Sequence, residues 1–436
     1  KMASKHLLFE LGSEELPPKT LVKLSEALRD GIVNGLTEAD LTFTASKAYA
    51  TPRRLAVLIE NLSTQQPDKV VEKRGPAIQA AFAPDGKPSK AAEGFAASCG
   101  TRFDKLERLK TDKGEWLVFQ QNVKGQPTEQ LIPDIIRASI AALPIAKRMR
   151  WGNFATEFVR PVHWAVLLFG EQPIACEILG LTTGNESRGH RFHAPQKITI
   201  DQPAQYAERL RQQGRVIADI EQRKLFIRDS AHKAALAVGG TAHIEEDLLE
   251  EIAALNEWPV PITGGFDPRF LALPAEVLIT TMQTNQKYFP VQNAQGGLMP
   301  YFITFSNIES TRPESIKAGN ERVITPRLTD AEFFWKQDRK IALADRVATL
   351  ANIVFQIKLG TLAEKTQRVV NLAETIAKEV NANVDWAKRA ALLAKADLLT
   401  NMVNEFDNLQ GIMGRYYALA DGEPVEVAHA IEQHYL

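Results

Sequence analysis

The stretch HLLFELG, residues 6–12, is followed by a prolyl pair and then by apolar residues at helical spacing from 19 to about 36. A short apolar run of this length predicts a buried strand, and the helical recurrence predicts an amphipathic helix. Two further apolar stretches, 42–50 and 53–60, predict two strands joined by a tight connection. The chain is therefore predicted to begin as a sheet with a helix beside it.

Beyond this opening, the sequence predicts mixed structure followed by helices. The segment 69–90 is rich in charge, proline and glycine, which predicts a long exposed loop or an extended insertion. From about Asn320 onward only amphipathic helical spacing is found. We therefore predict an α+β fold with a mixed α/β region over 1–320, of one or two subdomains, and an all-helical region over 321–436.

Composition is typical of an ordinary globular protein. Apolar residues make up 44% of the 436 residues and charged residues 24%, and the formal net charge is -1. No global field attracts polyanions, so any contact with nucleic acid must come from local basic clusters. The two cysteines form no C-x-x-C pair, and no apolar run approaches the ~18 residues that span a membrane. We predict a cytoplasmic protein without membrane contact.

Motifs that would indicate an active site are absent from the sequence. It has no G-x-x-x-x-G-K-[ST] phosphate loop, no G-x-G-x-x-G turn, no G-x-S-x-G elbow and no H-E-x-x-H helix. We therefore predict no catalytic residue and no metal site on this chain.

Basic residues interleaved with aromatic residues occur in segment 147–192, which holds six Lys or Arg against four Glu. Cations suit phosphates and flat rings stack on unpaired bases, so the pattern favours RNA. In SRGHRFH, His190 and its neighbours suit an anion better than a metal, with a solvated turn as the alternative. The candidate RNA-binding residues are Arg53, Arg54, Lys73, Arg74, Lys147, Arg148, Arg150, Arg188, His190 and Arg191.

Fourteen segments between residues 7 and 418 resemble segments of a single protein family, in the same order along the chain. They read LLFELGSEELPP, ATPRRLAVLIENL, VEKRGPA, GKPSKAAEGF, TDKGEWL, MRWGN, FVRPVHW, RGHRF, ALPAEVLITTM, NQKYFPV, FSNIES, GNERVITPRLTDAEFFWKQD, LGTLAEKTQRV and LQGIMGRYYA. In this order they resemble the β subunits of the bacterial two-subunit glycyl-tRNA synthetases.

The resemblance implies an enzyme of two α and two β subunits. ATP and magnesium would act at the α subunit, which forms the adenylate, whereas this chain would hold no cofactor and would position glycine tRNA. It also implies that the mixed region is similar to the B3/B4 domain of phenylalanyl-tRNA synthetase and contacts the tRNA acceptor arm. An HD-like helical domain, truncated at residue 436, would follow, and the family's anticodon-binding domain is expected to lie outside this stretch.

One position departs from the HD pattern. HD hydrolases use a His-Asp pair with further ligands, and the matching position here reads Ala396-Asp397. A single carboxylate does not hold a hydrolytic metal, so we predict no phosphohydrolase activity. Two alternatives stay open: a hydrolase, either HD-type or an editing-like esterase acting on misacylated tRNA, and an architectural subunit that only stabilises α.

Overall fold

The computed structural model describes residues 2–436, and its internal contacts divide the chain into two units. The first unit ends at Ile220, and the second is Glu221–Leu436. The boundary predicted between residues 320 and 321 falls inside the helix Pro313–Asp338 and does not separate compact units. Apolar residues of that helix share one core with the strands that precede it, which spacing along the sequence cannot show.

Among its described residues, 2–220, the first unit contains fourteen strands and five α-helices that lie wholly within it. The strands are β1 (Ser4–Ser13), β2 (Ala45–Thr51), β3 (Arg54–Ser63), β4 (Lys69–Ala77), β5 (Glu107–Thr111), β6 (Gly114–Val123), β7 (Met149–Arg150), β8 (Glu157–Phe158), β9 (Val162–Phe169), β10 (Gln172–Pro173), β11 (Glu177–Ile178), β12 (Leu181–Thr182), β13 (Glu186–Arg188) and β14 (Lys197–Thr199). The helices are α1 (Leu21–Glu38), α2 (Ile78–Ala81), α3 (Lys90–Ser98), α4 (Thr128–Ala141) and α5 (Tyr206–Gly214).

An antiparallel sheet in the order β10-β9-β1-β3-β2 forms the centre of the first unit. Leu7 to Ser13 of β1 are all buried, as expected of a central strand covered on both faces. One face packs Leu8 with Trp164 of β9 and Tyr206 of α5. α1 packs against α4 and contacts β2 and β3. The predicted opening strand and helix and the predicted pair of strands are confirmed.

Residues 69–123 form a smaller sheet in the order β4-β6-β5, with α2 and α3 beside it. Its core is small and contains Ala81, Ala92 and Leu117. The segment 69–90, predicted as a loop or extended insertion, contains the strand β4. Residues 69–74 are all exposed, and a strand with no buried face needs no alternation of apolar and polar residues. Their sequence, KVVEKR, therefore lacks the pattern by which a strand is predicted.

The second unit combines a four-stranded sheet and a short two-stranded sheet with most of the helices. Its strands are β15 (Thr241–Ala242), β16 (Val260–Gly265), β17 (Phe289–Gln292), β18 (Leu298–Ser306), β19 (Val354–Gln356) and β20 (Gly360–Thr361). Its helices are α6 (Ile220–Ala237, which begins at the division), α7 (Glu246–Leu255), α8 (Ala275–Thr280), α9 (Pro313–Asp338), α10 (Leu343–Arg346), α11 (Leu362–Glu379), α12 (Val384–Leu393), α13 (Asn401–Glu405), α14 (Ile412–Ala420) and α15 (Val425–Gln433).

The four-stranded sheet of the second unit has the order β15-β17-β18-β16, and a core that includes Phe302, Ile324 and Met413 joins it to α9 and α14. β19 and β20 pair as a short hairpin, so the region 321–436 is mainly helical and not all-helical as predicted. In residues 2–436 no helix is both long and apolar enough to cross a membrane.

Candidate nucleic-acid interface

The central sheet places an ion pair in the interior of the first unit. Glu10 of β1 and Arg54 of β3 are fully buried, and Arg54 Nη1 lies 3.4 Å from Glu10 Oε2. Glu10 Oε1 accepts hydrogen bonds from Trp164 Nε1 at 2.5 Å and Ser187 Oγ at 2.6 Å. Tyr206 donates to Oε2, and burial raises the pKa of Tyr206, which keeps this hydroxyl protonated. These donors allow a charged carboxylate to stay buried.

Arg54 is therefore part of the interior and not of a surface. Its Nη1 also donates to the backbone carbonyl of Arg188 at 2.7 Å, and its side chain is 0% exposed. The predicted contact between Arg54 and RNA is wrong, because no atom of the guanidinium is accessible to a phosphate. The carboxylate that holds it lies 44 positions away in the sequence, so spacing could not reveal the pair.

His190 has a similar structural role. The residue is 0% exposed, and its Nδ1 accepts from the backbone N–H groups of Phe192 and His193, each at 3.2 Å. The backbone N–H of His190 donates to the carbonyl of Gly214 at 2.7 Å. The imidazole thus stabilises a tight turn, and the predicted RNA contact of His190 is wrong for the same reason as that of Arg54.

Arg188, at the end of β13, lines an open cleft of about 230 Å³. Its guanidinium carbon lies 5.5 Å from the centroid of the Trp164 ring, a cation–π arrangement that holds the side chain in place. Among the described residues no carboxylate forms an ion pair with Arg188. His163, Asn185 and Lys197 line the same cleft. Spacing along the sequence does not indicate these three residues as a group, because only folding brings positions 163, 185 and 197 together.

Arg53 and Arg191 both lie near the end of β1, but each faces a carboxylate. Arg53 Nη2 is 3.6 Å from Glu14 Oε2, and Arg191 Nη1 is 3.2 Å from Glu15 Oε1. A hydrogen bond from His163, 2.8 Å long, lowers the pKa of Glu14 and keeps it ionised. To bind RNA, either arginine has to exchange a carboxylate for a phosphate, which reduces the net gain.

Lys147, Arg148 and Arg150 form a second cationic cluster at β7. All three side chains are exposed, and Arg150 Nε lies 2.8 Å from Glu157 Oε1 across the β7–β8 pair. Arg148 Nη2 donates to the carbonyl of Ala141 at 3.2 Å. Within residues 2–436, Lys147 and Arg148 have no carboxylate partner. These two cations are therefore available to an anionic ligand.

Lys73 and Arg74 are adjacent and exposed on β4. Successive side chains of a strand point to opposite faces, so the two cations do not act on one phosphate. Lys73 is paired with Phe119 of β6, and Arg74 stands over the ring of Trp116 with its guanidinium carbon 4.9 Å from the centroid. The fold thus separates a pair that the sequence presents as one cluster.

Ala396 and Asp397, the position matching the HD pair, lie beside the start of α14. Asp397 Oδ2 accepts from the backbone N–H groups of Gly411 at 2.6 Å and Gly414 at 2.9 Å. Burial raises the pKa of Asp397 to about 6. The carboxylate therefore caps a helix. In the part of the chain that the structure describes, no group of three or more His, Cys, Asp or Glu side chains is arranged to hold a metal ion. None of these contacts favours the hydrolase alternative.

The fold and these surfaces define a class: a two-unit protein of helices and sheets whose first unit exposes local clusters of cations and aromatic rings. Such clusters suit a polyanion even though the net charge is close to zero. The chain belongs to the glycyl-tRNA synthetase beta subunit family, whose model matches residues 7–436.

Relatives named glycine–tRNA ligase beta subunit match the whole chain. The relative from Hahella chejuensis is 55% identical over 435 residues, and that from Marinobacter nauticus is 52% identical over 438 residues. A third, from Chromohalobacter salexigens, is 52% identical over 435 residues. Each match covers 100% of this chain and 63% of the relative, so the chain spans somewhat less than two thirds of these proteins' length.

Proposed function

We propose that the complete protein is the β subunit of a two-subunit glycine–tRNA ligase and that it holds glycine tRNA while the α subunit performs aminoacylation. Membership of residues 7–436 in the beta subunit family carries this proposal. In the proposed enzyme two α and two β subunits assemble in the cytoplasm. ATP and magnesium act at the α subunit, and this chain binds no cofactor.

We also assign a counterpart to each region of the chain. The mixed α and β region corresponds to a domain similar to the B3/B4 domain of phenylalanyl-tRNA synthetase, which contacts the acceptor arm. The mainly helical region 321–436 corresponds to an HD-like domain. In that domain the helix-capping role of Asp397 supports an aspartate that is not used as a metal ligand.

Positioning is sufficient for a subunit without catalytic groups to control a rate. Holding a reacting end in place converts an encounter in solution into a step within a complex, which can lower the effective barrier by several kcal/mol. The exposed cations that remain after Arg54 and His190 are removed from the candidates would contact tRNA phosphates. Of these, Lys147, Arg148 and Arg188 contribute more than Arg53, Arg150 and Arg191, because a carboxylate competes for each of the latter three.

The experiment compares aminoacylation of glycine tRNA by the α subunit alone and by α with the complete β subunit. We expect kcat/KM for tRNA to be at least about a hundredfold lower with α alone, because the lost positioning is worth several kcal/mol. Formation of glycyl adenylate by α, measured in parallel, shows that the α subunit is folded and active. If α alone charges tRNA as well as the complex does, the proposed function is wrong.

A further inference from the structure

An exposed hairpin of the first unit carries an aromatic ring at its tip. β7 and β8 form its base, and the fully buried Phe158 anchors it to the interior. The connection 151–156 turns at Gly152, which has a φ of 56°, and the N–H of Phe154 donates to the carbonyl of Trp151 at 3.2 Å. The turn therefore presents Phe154 at a fixed place on the surface.

The ring of Phe154 is open to solvent. Its residue is 62% exposed, and the ring leans on Gly152, where an added Cβ would lie 3.4 Å from a ring carbon. Among the described residues no cation and no second aromatic ring contacts it. Phe192 is 59% exposed, but the guanidinium carbon of Arg191 lies 4.9 Å from its ring centroid. The ring of Phe154 thus has a face open to a ligand, whereas Arg191 already stands over the ring of Phe192.

The charge around the hairpin distinguishes Phe154 from an ordinary exposed side chain. A single exposed phenylalanine is common on protein surfaces and by itself indicates no ligand. Segment 147–158, however, holds three cations against one carboxylate, Glu157, and that carboxylate pairs with Arg150. Lys147 and Arg148 are left without an ion pair in the described part of the chain. A flat apolar face in the same short segment as two cations without ion pairs matches the chemistry of a nucleotide.

We propose that Phe154 stacks on an unpaired base of RNA while Lys147 and Arg148 bind the adjacent phosphates. Stacking on an aromatic side chain accepts any base, whereas bases inside a duplex are already stacked on one another and are not accessible. The inference rests on the proposed function for the identity of the ligand as RNA. It goes beyond that function because it names single-stranded nucleotides as the element that this hairpin recognises.

The test uses the complete two-subunit enzyme and three probes: glycine tRNA, a single-stranded RNA of about twelve nucleotides, and the blunt duplex of the same sequence. We expect Phe154→Ala to weaken binding of the single strand about tenfold and to leave binding of the duplex unchanged within about twofold. Phe154→Trp, which keeps a flat ring, should bind the single strand at least as well as the unaltered enzyme does.

Two controls separate this loss from general damage. Phe333→Ala removes a similarly exposed ring, 56% exposed, from the second unit and should change neither affinity. The double variant Lys147→Ala and Arg148→Ala should weaken both RNAs, because phosphates are present in both. Equal single-strand affinity in Phe154→Ala and the unaltered enzyme, or an equal loss on both RNAs, overturns the stacking proposal. Failure of the unaltered enzyme to bind glycine tRNA refutes the proposed function, whatever the variants do.

Discussion

Glu10 in the first unit and Asp338 and Asp397 in the second are buried carboxylates, and each accepts several hydrogen bonds. Asp338 accepts from the backbone N–H groups of Asn401 at 2.8 Å and Met402 at 3.0 Å, which begin α13. Burying a carboxylate costs free energy of folding unless such donors surround it. A buried donor that loses its carboxylate acceptor costs free energy as well. Single residues of this kind therefore fix the packing of elements far apart in the sequence.

Asp397 makes stability depend on pH in a specific direction. Its pKa of about 6 in the folded protein exceeds the ordinary value of 3.8, so the folded state binds the proton more tightly than the unfolded chain does. The resulting stabilisation is present below the ordinary pKa and is lost as pH rises through about 6. We expect Asp397→Asn, which does not titrate, to gain up to ~3 kcal/mol relative to the unaltered protein between about pH 4 and about pH 7.

Urea unfolding at several pH values measures this difference. Asp397→Ala is the matched control: it should show the same altered pH dependence but lower stability than Asp397→Asn at every pH. The reason is that the N–H groups of Gly411 and Gly414 would lose their acceptor. Parallel pH profiles for Asp397→Asn and the unaltered protein would contradict the prediction.

At the scale of elements, the contact between β1 and β9 requires glycine at position 12. Gly12 of β1 lies opposite Trp164 of β9, and a Cβ at Gly12 would lie only 1.9 Å from an atom of the indole ring. The ring lies against this glycine while its Nε1 donates to Glu10. Glycine at position 12 thus permits both the pairing of β1 with β9 and the hydrogen bond from Trp164 Nε1 to Glu10.

We expect Gly12→Ala to lower the free energy of unfolding by ~1–3 kcal/mol, because the added methyl group displaces a large ring from a packed interior. Chemical denaturation measures the loss. Gly184→Ala is the control, since nothing lies within 4 Å of a Cβ there, and its effect should stay within ~0.5 kcal/mol. A Gly12→Ala variant as stable as the Gly184→Ala variant would show that the ring moves aside without cost.

Apolar spacing was sufficient to predict β1, α1 and the pair of β2 and β3, because the apolar residues of these elements fill the interior of the first unit. It failed for β4, where Val70 and Val71 are exposed together with the charged residues, and for the hairpin of β19 and β20, where Val354 is 67% exposed. Burial of Arg54 and His190 depends on partners brought together only by folding. Cationic residues could be selected from the sequence, but their carboxylate competitors could not.

At the scale of the whole molecule, 52 Lys and Arg balance 53 Asp and Glu, so affinity for a polyanion depends on which cations lack partners. The first unit contains such cations at the β7–β8 hairpin and in the cleft of Arg188. These sites, and not the overall charge, should determine how strongly salt weakens the binding of tRNA.

We expect the variant Lys147→Ala, Arg148→Ala, Arg188→Ala and Arg191→Ala of the complete enzyme to bind glycine tRNA more weakly. The slope of log K against log salt should become shallower by about three, since each lost phosphate contact removes ~0.7–0.9. A titration over a range of salt concentrations measures it. Alanine at four other exposed lysines gives the same change in net charge and should leave the slope unchanged; these are Lys23, Lys105, Lys110 and Lys124.

The hydrogen bond between Tyr206 and Glu10 joins residues 196 positions apart, and this separation matters while the protein is being made. A growing chain emerges from the ribosome with its N-terminal end first, at about 5–20 residues per second, so roughly 10–40 s pass between the two residues. Throughout that interval β1 exists without the tyrosine that completes its surroundings. The earliest strand of the first unit is thus among the last to reach its final environment, and its apolar residues stay within reach of chaperones until then.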